Sequence, residues 1–166
     1  MADYDWTVGD GADSNGYCTM PISVTNTATL ALTPGSNIIS NNTISVASNA
    51  TLQVAQSGTV ALGGNLSLAD GAILGFNLTD GDLSVLDVSD KTVTFGSESN
   101  VVIKVSVAPG RGAMVGSSVL TKGGKFKGVN VRLADDHPAW ASSVSVNGDG
   151  NIVLDAEFKG LMIIFH

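Results

Sequence analysis

The chain has 166 residues, enough for one domain with a real core. Hydrophobic residues make up 43% of it and aromatics only 5%, which excludes a core built on large rings and favours thin β layers filled by Val, Leu, Ile and Ala. The net charge is -7, every Lys and Arg falls at or after Lys91, and the run from Ser14 to Ala69 carries no charged side chain, a balance that argues against nucleic acid as a partner because nothing there attracts phosphate.

Residues 1–21 read as a partly disordered lead-in. The opening MADYDWTVGDGADSNGYC has neither a basic n-region nor an apolar h-region, so any export signal is expected upstream of it. Cys18 is the single cysteine, which rules out an internal disulfide and a Cys-based zinc site. No apolar run reaches the ~20 residues of a spanning helix, so no stable membrane insertion is expected.

From Ile22 the apolar residues come in i, i+2 pairs separated by turn-forming residues, which predicts short strands joined by tight corners. ISVTNTATLAL starts at Ile22, ISVASNATLQV at Ile44 and LSLADGAILGF at Leu66, a repeat of 22 residues. The repeat aligns Ile22, Ile44 and Leu66, then Val24, Val46 and Leu68, then Leu30, Leu52 and Leu74, then Leu32, Val54 and Phe76. Ser23, Ser45 and Ser67 fall between apolar columns and are expected to point outward. A third patch, Ile38 with Ile39, Val60 with Leu62, and Leu83 with Val85, follows in looser register. Three strands per repeat describe a coil over 22–90. If successive coils stack, they form parallel ladders that bury the apolar columns, which one coil alone cannot do. Like charges on adjacent rungs would repel, which accounts for the uncharged Ser/Thr/Asn face. The same spacing also suits an antiparallel sandwich or jelly roll, with two strands and two turns per repeat.

Over 91–166 the repeat degrades. Longer strands are predicted at Val101–Val107, Val129–Leu133, Ser143–Val146 and Asn151–Ala156, with a closing strand in GLMIIFH. Asn147-Gly148-Asp149-Gly150 between two alternating runs signals a hairpin. Antiparallel pairing there would cap the stack, with Trp140 as its large plug. Repeat and cap together are read as one continuous domain.

The repeat, with AMVGSSVLTKGGKFKGVNVRL, PAWASSVSVNGDGNIVLDA and GLMIIF after it, resembles the C-terminal part of an autotransporter-type passenger. It is similar to the surface proteins of gut Verrucomicrobia that carry autotransporter-associated β-strand repeats. The resemblance implies a right-handed parallel β-helix, export, and display at the cell surface or secretion. It does not imply an enzyme, because such passengers include adhesins, proteases and inert stalks.

Asp135, Asp136 and His137 form the one compact acid/base cluster, against which stands a solvated loop before Pro138. Asp80 and Asp82 in LTDGDL, near Asp70 and Asp87, offer oxygen ligands for a cation, or ordinary turns. Metal candidates are therefore Asp80, Asp82, Asp135 and His137. Candidates for a carboxylate pair of the hydrolytic kind are Asp13, Asp80, Asp82, Asp135 and Asp136, although the aspartic-peptidase phrase is absent. No Gly-x-Ser-x-Gly elbow and no phosphate loop occurs, and no cofactor is expected. Asn41, Asn49, Asn65 and Asn77 lie in Asn-x-Ser/Thr sequons, as chance gives in so Asn- and Thr-rich a chain. These features suit a non-catalytic structural or adhesive module contacting a glycan or glycoprotein such as mucin. The alternative is a secreted hydrolase, an aspartic-type peptidase or glycosidase acting on mucin-like glycoprotein through paired Asp residues.

Overall fold

In the computed structural model, residues 6–8, 21–34, 43–79, 82–107 and 115–157 are described. Among them there is no helix, and so none long and apolar enough to cross a membrane. The strands arise turn by turn. A first strand, β1 (Trp6–Val8), lies in the lead-in, where none was expected. The first repeat forms β2 (Ile22–Val24) and β3 (Thr29–Leu32). The second forms β4 (Ile44–Val46), β5 (Thr51–Val54) and β6 (Gly58–Ala61). The third forms β7 (Leu66–Leu68), β8 (Ala72–Thr79) and β9 (Asp82–Asp87). A fourth coil follows with β10 (Val93–Phe95), β11 (Asn100–Val107), β12 (Gly116–Val119) and β13 (Thr121–Lys122). The chain then adds β14 (Asn130–Leu133), β15 (Ala141–Val146) and β16 (Ile152–Ala156).

These strands build a parallel β-helix of about four turns. One face is the parallel row β2-β4-β7-β10, a second is β1-β3-β5-β8-β11-β14, and a third is β6-β9-β13. The register is the one the 22-residue repeat predicts: Ile22 pairs with Ile44 and Ile44 with Leu66, while Leu30 pairs with Leu52 and Leu52 with Leu74. Each apolar column is thus a ladder inside one shared core, and the sandwich alternative falls because neighbouring repeats run in the same direction. Alternation puts every second residue of a strand inside. In β5, Leu52 and Val54 are buried and the alternate residues Thr51 and Gln53 are half-buried. Corners between the first two faces are four-residue turns closed by a backbone bond, Ala47 to Ala50 and Ala69 to Ala72 among them. Their third residues, Asn49 and Gly71, have φ of 62° and 78°, a left-handed conformation that Asn and Gly adopt at low cost.

Two features depart from the expectation. Stacking outlasts the visible repeat, because β11 pairs with β8 and β14 with β11 in parallel, Leu74 facing Ile103 and Ile103 facing Leu133. On the third face, Val60 pairs with Leu86, and the Leu62 N–H bonds the Asp87 carbonyl, so Val60 and Leu62 do not align with Leu83 and Val85. The cause is local. Strand β8 overruns its corner and returns as an antiparallel pair, Leu78 with Leu83 and Thr79 with Asp82, which inserts residues before the third face resumes. Ile38 and Ile39 lie outside the described residues.

The C-terminal cap is the antiparallel sheet β12-β16-β15. Its central strand turns Ile152, Leu154 and Ala156 into the core. Of the hairpin residues Asn147 to Gly150, only Gly150 has a positive φ, 78°. Trp140 is 9% exposed and belongs to the core cluster. Phe126, which the sequence reading passed over, is fully buried and packs edge to face on Phe95 with ring centroids 5.6 Å apart. It covers the end of the column that Val24 begins. The closing GLMIIFH lies outside the described residues.

Candidate functional site

The most regular surface feature follows directly from the register. Ser23, Ser45, Ser67 and Thr94 occupy one row on the first face, each opposite the next. With rungs about 4.8 Å apart, the row is a flat ladder of hydroxyls with no charge on it. A shallow groove of about 270 Å³ runs beside it, lined among others by Thr25, Ala47 and the half-buried edge of Phe95. On the second face Thr29 opposes Thr51. Further along, Gln53 Nε2 donates to Asn77 Oδ1 at 2.9 Å, and Asn77 Nδ2 donates to the Ala55 carbonyl at 2.6 Å. Ser84, though fully buried, is satisfied: its hydroxyl donates to the Val54 carbonyl and accepts the Asn77 N–H.

The corner at Asp70 is the most elaborate. The carboxylate lies within the corner of the next coil, where it accepts the backbone N–H groups of Glu98 at 3.1 Å and Asn100 at 3.2 Å and the hydroxyl of Ser97 at 3.3 Å. These donors, led by the Glu98 N–H, hold its pKa below the ordinary carboxylate value. Gly96 makes the approach possible, since a methyl group there would meet the Asp70 carboxylate at 2.6 Å. The Asp87 carboxyl is likewise held low, by the hydroxyl and then the N–H of Ser89.

The Asp135–His137 cluster is a turn rather than a pocket. Asp136 forms an exposed ion pair with Lys104 at 2.8 Å, which lowers its pKa. Asp135 lies 3.7 Å from Arg132, and His137 Nδ1 approaches the Ala134 carbonyl at 2.7 Å. Each member of the trio thus faces a different partner around the turn, which the His137 N–H closes on the Ala134 carbonyl. Asp82 is on another face, at the edge of a groove of about 470 Å³ with Ser57, Thr59, Leu83, Ser118 and Val119. Asp13 and Asp80 lie outside the described residues, as do Cys18 and His166. Among the described residues, no three His, Cys, Asp or Glu side chains gather to hold a metal. No protein-family model, curated protein or solved structure matches this chain.

A hydrolytic carboxylate pair needs one acid kept protonated. Of the candidate carboxylates, Asp136 is displaced in the opposite direction. The sequons also have structural employment. Asn49 supplies a left-handed corner, Asn65 Oδ1 accepts the Thr92 N–H at 3.0 Å, and Asn77 holds the amide network above; Asn41 lies outside the described residues. Lys122 to Lys125 is a cap turn in which the Gly124 N–H bonds Asn151 Oδ1 at 2.8 Å. The polar residues that sequence reasoning missed are Asn100, Asn130 and Arg132. Aligning NVVI with NVRL, each just after a corner, is the signal that finds them.

Proposed function

We propose that this chain is a non-catalytic module of an exported protein, displayed at the cell surface or secreted, in which a rigid β-helix presents a neutral hydroxyl and amide face to polysaccharide or mucin-like glycoprotein. The observation that carries the reading is the Ser23–Ser45–Ser67–Thr94 row, held in register by parallel pairing and free of charge. Hydroxyls at rung spacing suit many weak hydrogen bonds to a repeating sugar chain. The backbone beneath them is fixed before contact, so little ordering entropy is lost on binding. The resemblance to autotransporter-type passengers agrees with this role and supports export as part of the proposal.

The test is retention of the purified chain on immobilised mucin and on neutral polysaccharide, compared with Ser45→Arg. The substitution adds a bulky charge to the middle of an outward row and leaves the core column untouched. Retention by the native chain, with at least a tenfold loss in a variant whose circular dichroism is unchanged, is the expected result. No retention of the native chain on either surface, or equal retention of the variant, would overturn the reading.

A further inference from the structure

A second polar feature lies round the corner from the serine row. Three successive coils bring Asp70, Gly71, Asn100, Val102, Asn130 and Arg132 to the wall of one groove of about 450 Å³. That volume is within the ~300–1,000 Å³ of small-molecule sites. Asn100 and Asn130 are paired rungs of β11 and β14, so their side-chain amides stand one above the other. Val102 and Arg132 are paired likewise, two rungs further on.

The groups in this groove are unevenly committed. Asp70 Oδ2 receives both Ser97 and Glu98, whereas Oδ1 receives the Asn100 N–H and retains accepting capacity. The Asn100 side chain makes no hydrogen bond among the described residues, and that of Asn130 makes one long contact, 3.3 Å to the Glu98 carbonyl. The Arg132 guanidinium is loosely held, at 3.4 Å from the Leu133 carbonyl and 3.7 Å from Asp135, with 65% of its side chain exposed. Beneath them Val102 is only 7% exposed although it sits on the outward row, so the floor is apolar. One anionic acceptor, two amides and one cationic fork over a small apolar floor sum to no net charge. A phosphate or carboxylate ligand would meet the Asp70 carboxylate unfavourably. A pyranose with two adjacent hydroxyls fits the set: one hydroxyl donates to Asp70 Oδ1, the amides and guanidinium donate to the ring hydroxyl oxygens, and the C–H face lies on valine.

We infer that this corner groove is a saccharide subsite that takes one or two neutral pyranose units through a vicinal diol. The inference rests on the glycan-contact reading above and assigns it a discrete site. It is tested by titrating the ¹⁵N-labelled chain with methyl β-galactopyranoside, methyl α-mannopyranoside and N-acetylglucosamine while following its amide resonances. For at least one sugar, shifts are expected at the side-chain amides of Asn100 and Asn130 and at the Gly71 backbone. Asn100→Ala and Arg132→Ala should each weaken the fitted Kd about tenfold or more with no change in the thermal midpoint. Shifts confined to Ser23, Ser45, Ser67 and Thr94 would overturn this inference and leave the proposed function standing. An absence of shifts with all three sugars would also overturn it, while retention on mucin judges the wider reading separately. Binding unaltered in both variants would place the ligand elsewhere and equally sink the inference.

Discussion

The Asp70 carboxylate does at a corner what a ladder does along a strand: it joins one coil to the next, through the N–H groups of Glu98 and Asn100. The equivalent position one repeat earlier is Ser48. Because the folded pKa lies below the ordinary 3.8, ionised Asp70 favours the folded state above that value. The contribution is lost as pH falls through the lower, folded pKa. Asp87 and Asp136 act in the same direction. The urea midpoint should therefore hold steady at neutral pH and decline as the pH drops below about 4, with Asp70→Asn showing a shallower decline. An acid limb identical in the variant and the native chain would show that Asp70 takes no part. At this scale the sequence spoke weakly, because an Asp in a turn reads the same whether it is solvated or accepts three donors from a coil 27 to 30 residues away.

Along a single strand, opposite faces obey opposite rules. Ile44 is fully buried between Ile22 and Leu66, while its neighbour Ser45 faces outward. Removing the buried side chain loses transfer energy and leaves a cavity in a column that neighbours on both sides hold fixed. Ile44→Ala is thus expected to cost about 2–5 kcal/mol, whereas Ser45→Ala should stay within about 0.5 kcal/mol. Chemical denaturation of the two variants checks this, and similar losses would contradict the assigned facing. This contrast was legible from the sequence alone, since the alternation and the 22-residue period both survive in the letters. The third face was not legible in the same way. Its strands follow the hairpin return at Leu78–Leu83, and the inserted residues shift the partner of Val60 to Leu86 without disturbing the apolar pattern of either strand.

Across the whole molecule, one core cluster runs from Val24 to Ala156, so coils and cap share their burial. A stack of coils needs its terminal columns covered, because an uncovered column leaves apolar side chains and strand edges in water. Phe126 meets that need for the first face through its edge contact with Phe95. Phe126→Ala should cost about 3–5 kcal/mol, as for a fully buried aromatic, and lower the urea midpoint of the whole chain in one transition. A separate early transition of the cap, with the coils unaffected, would show that cap and stack are independent. Trp140 could be singled out from the sequence by its size, but Phe126 sits alone among lysines and glycines in KGGKFKG and carries no period to betray it.

What the amino-acid sequence determined by itself was whatever repeats: the 22-residue period, the four apolar columns and the outward serine row; that neighbouring repeats stack in parallel and do not fold as a sandwich was decided by the structure. A fixed period returns like residues to like places on successive strands, and alternation turns their apolar half inward whichever way the strands pair. Everything that depends on unequal coil lengths was decided by tertiary structure. That includes the third-face register, the Phe126 plug and the meeting of Asp70, Asn100, Asn130 and Arg132 in one groove. Insertions at corners change which residues become neighbours without changing what any strand looks like, so those meetings exist only once the coils are stacked.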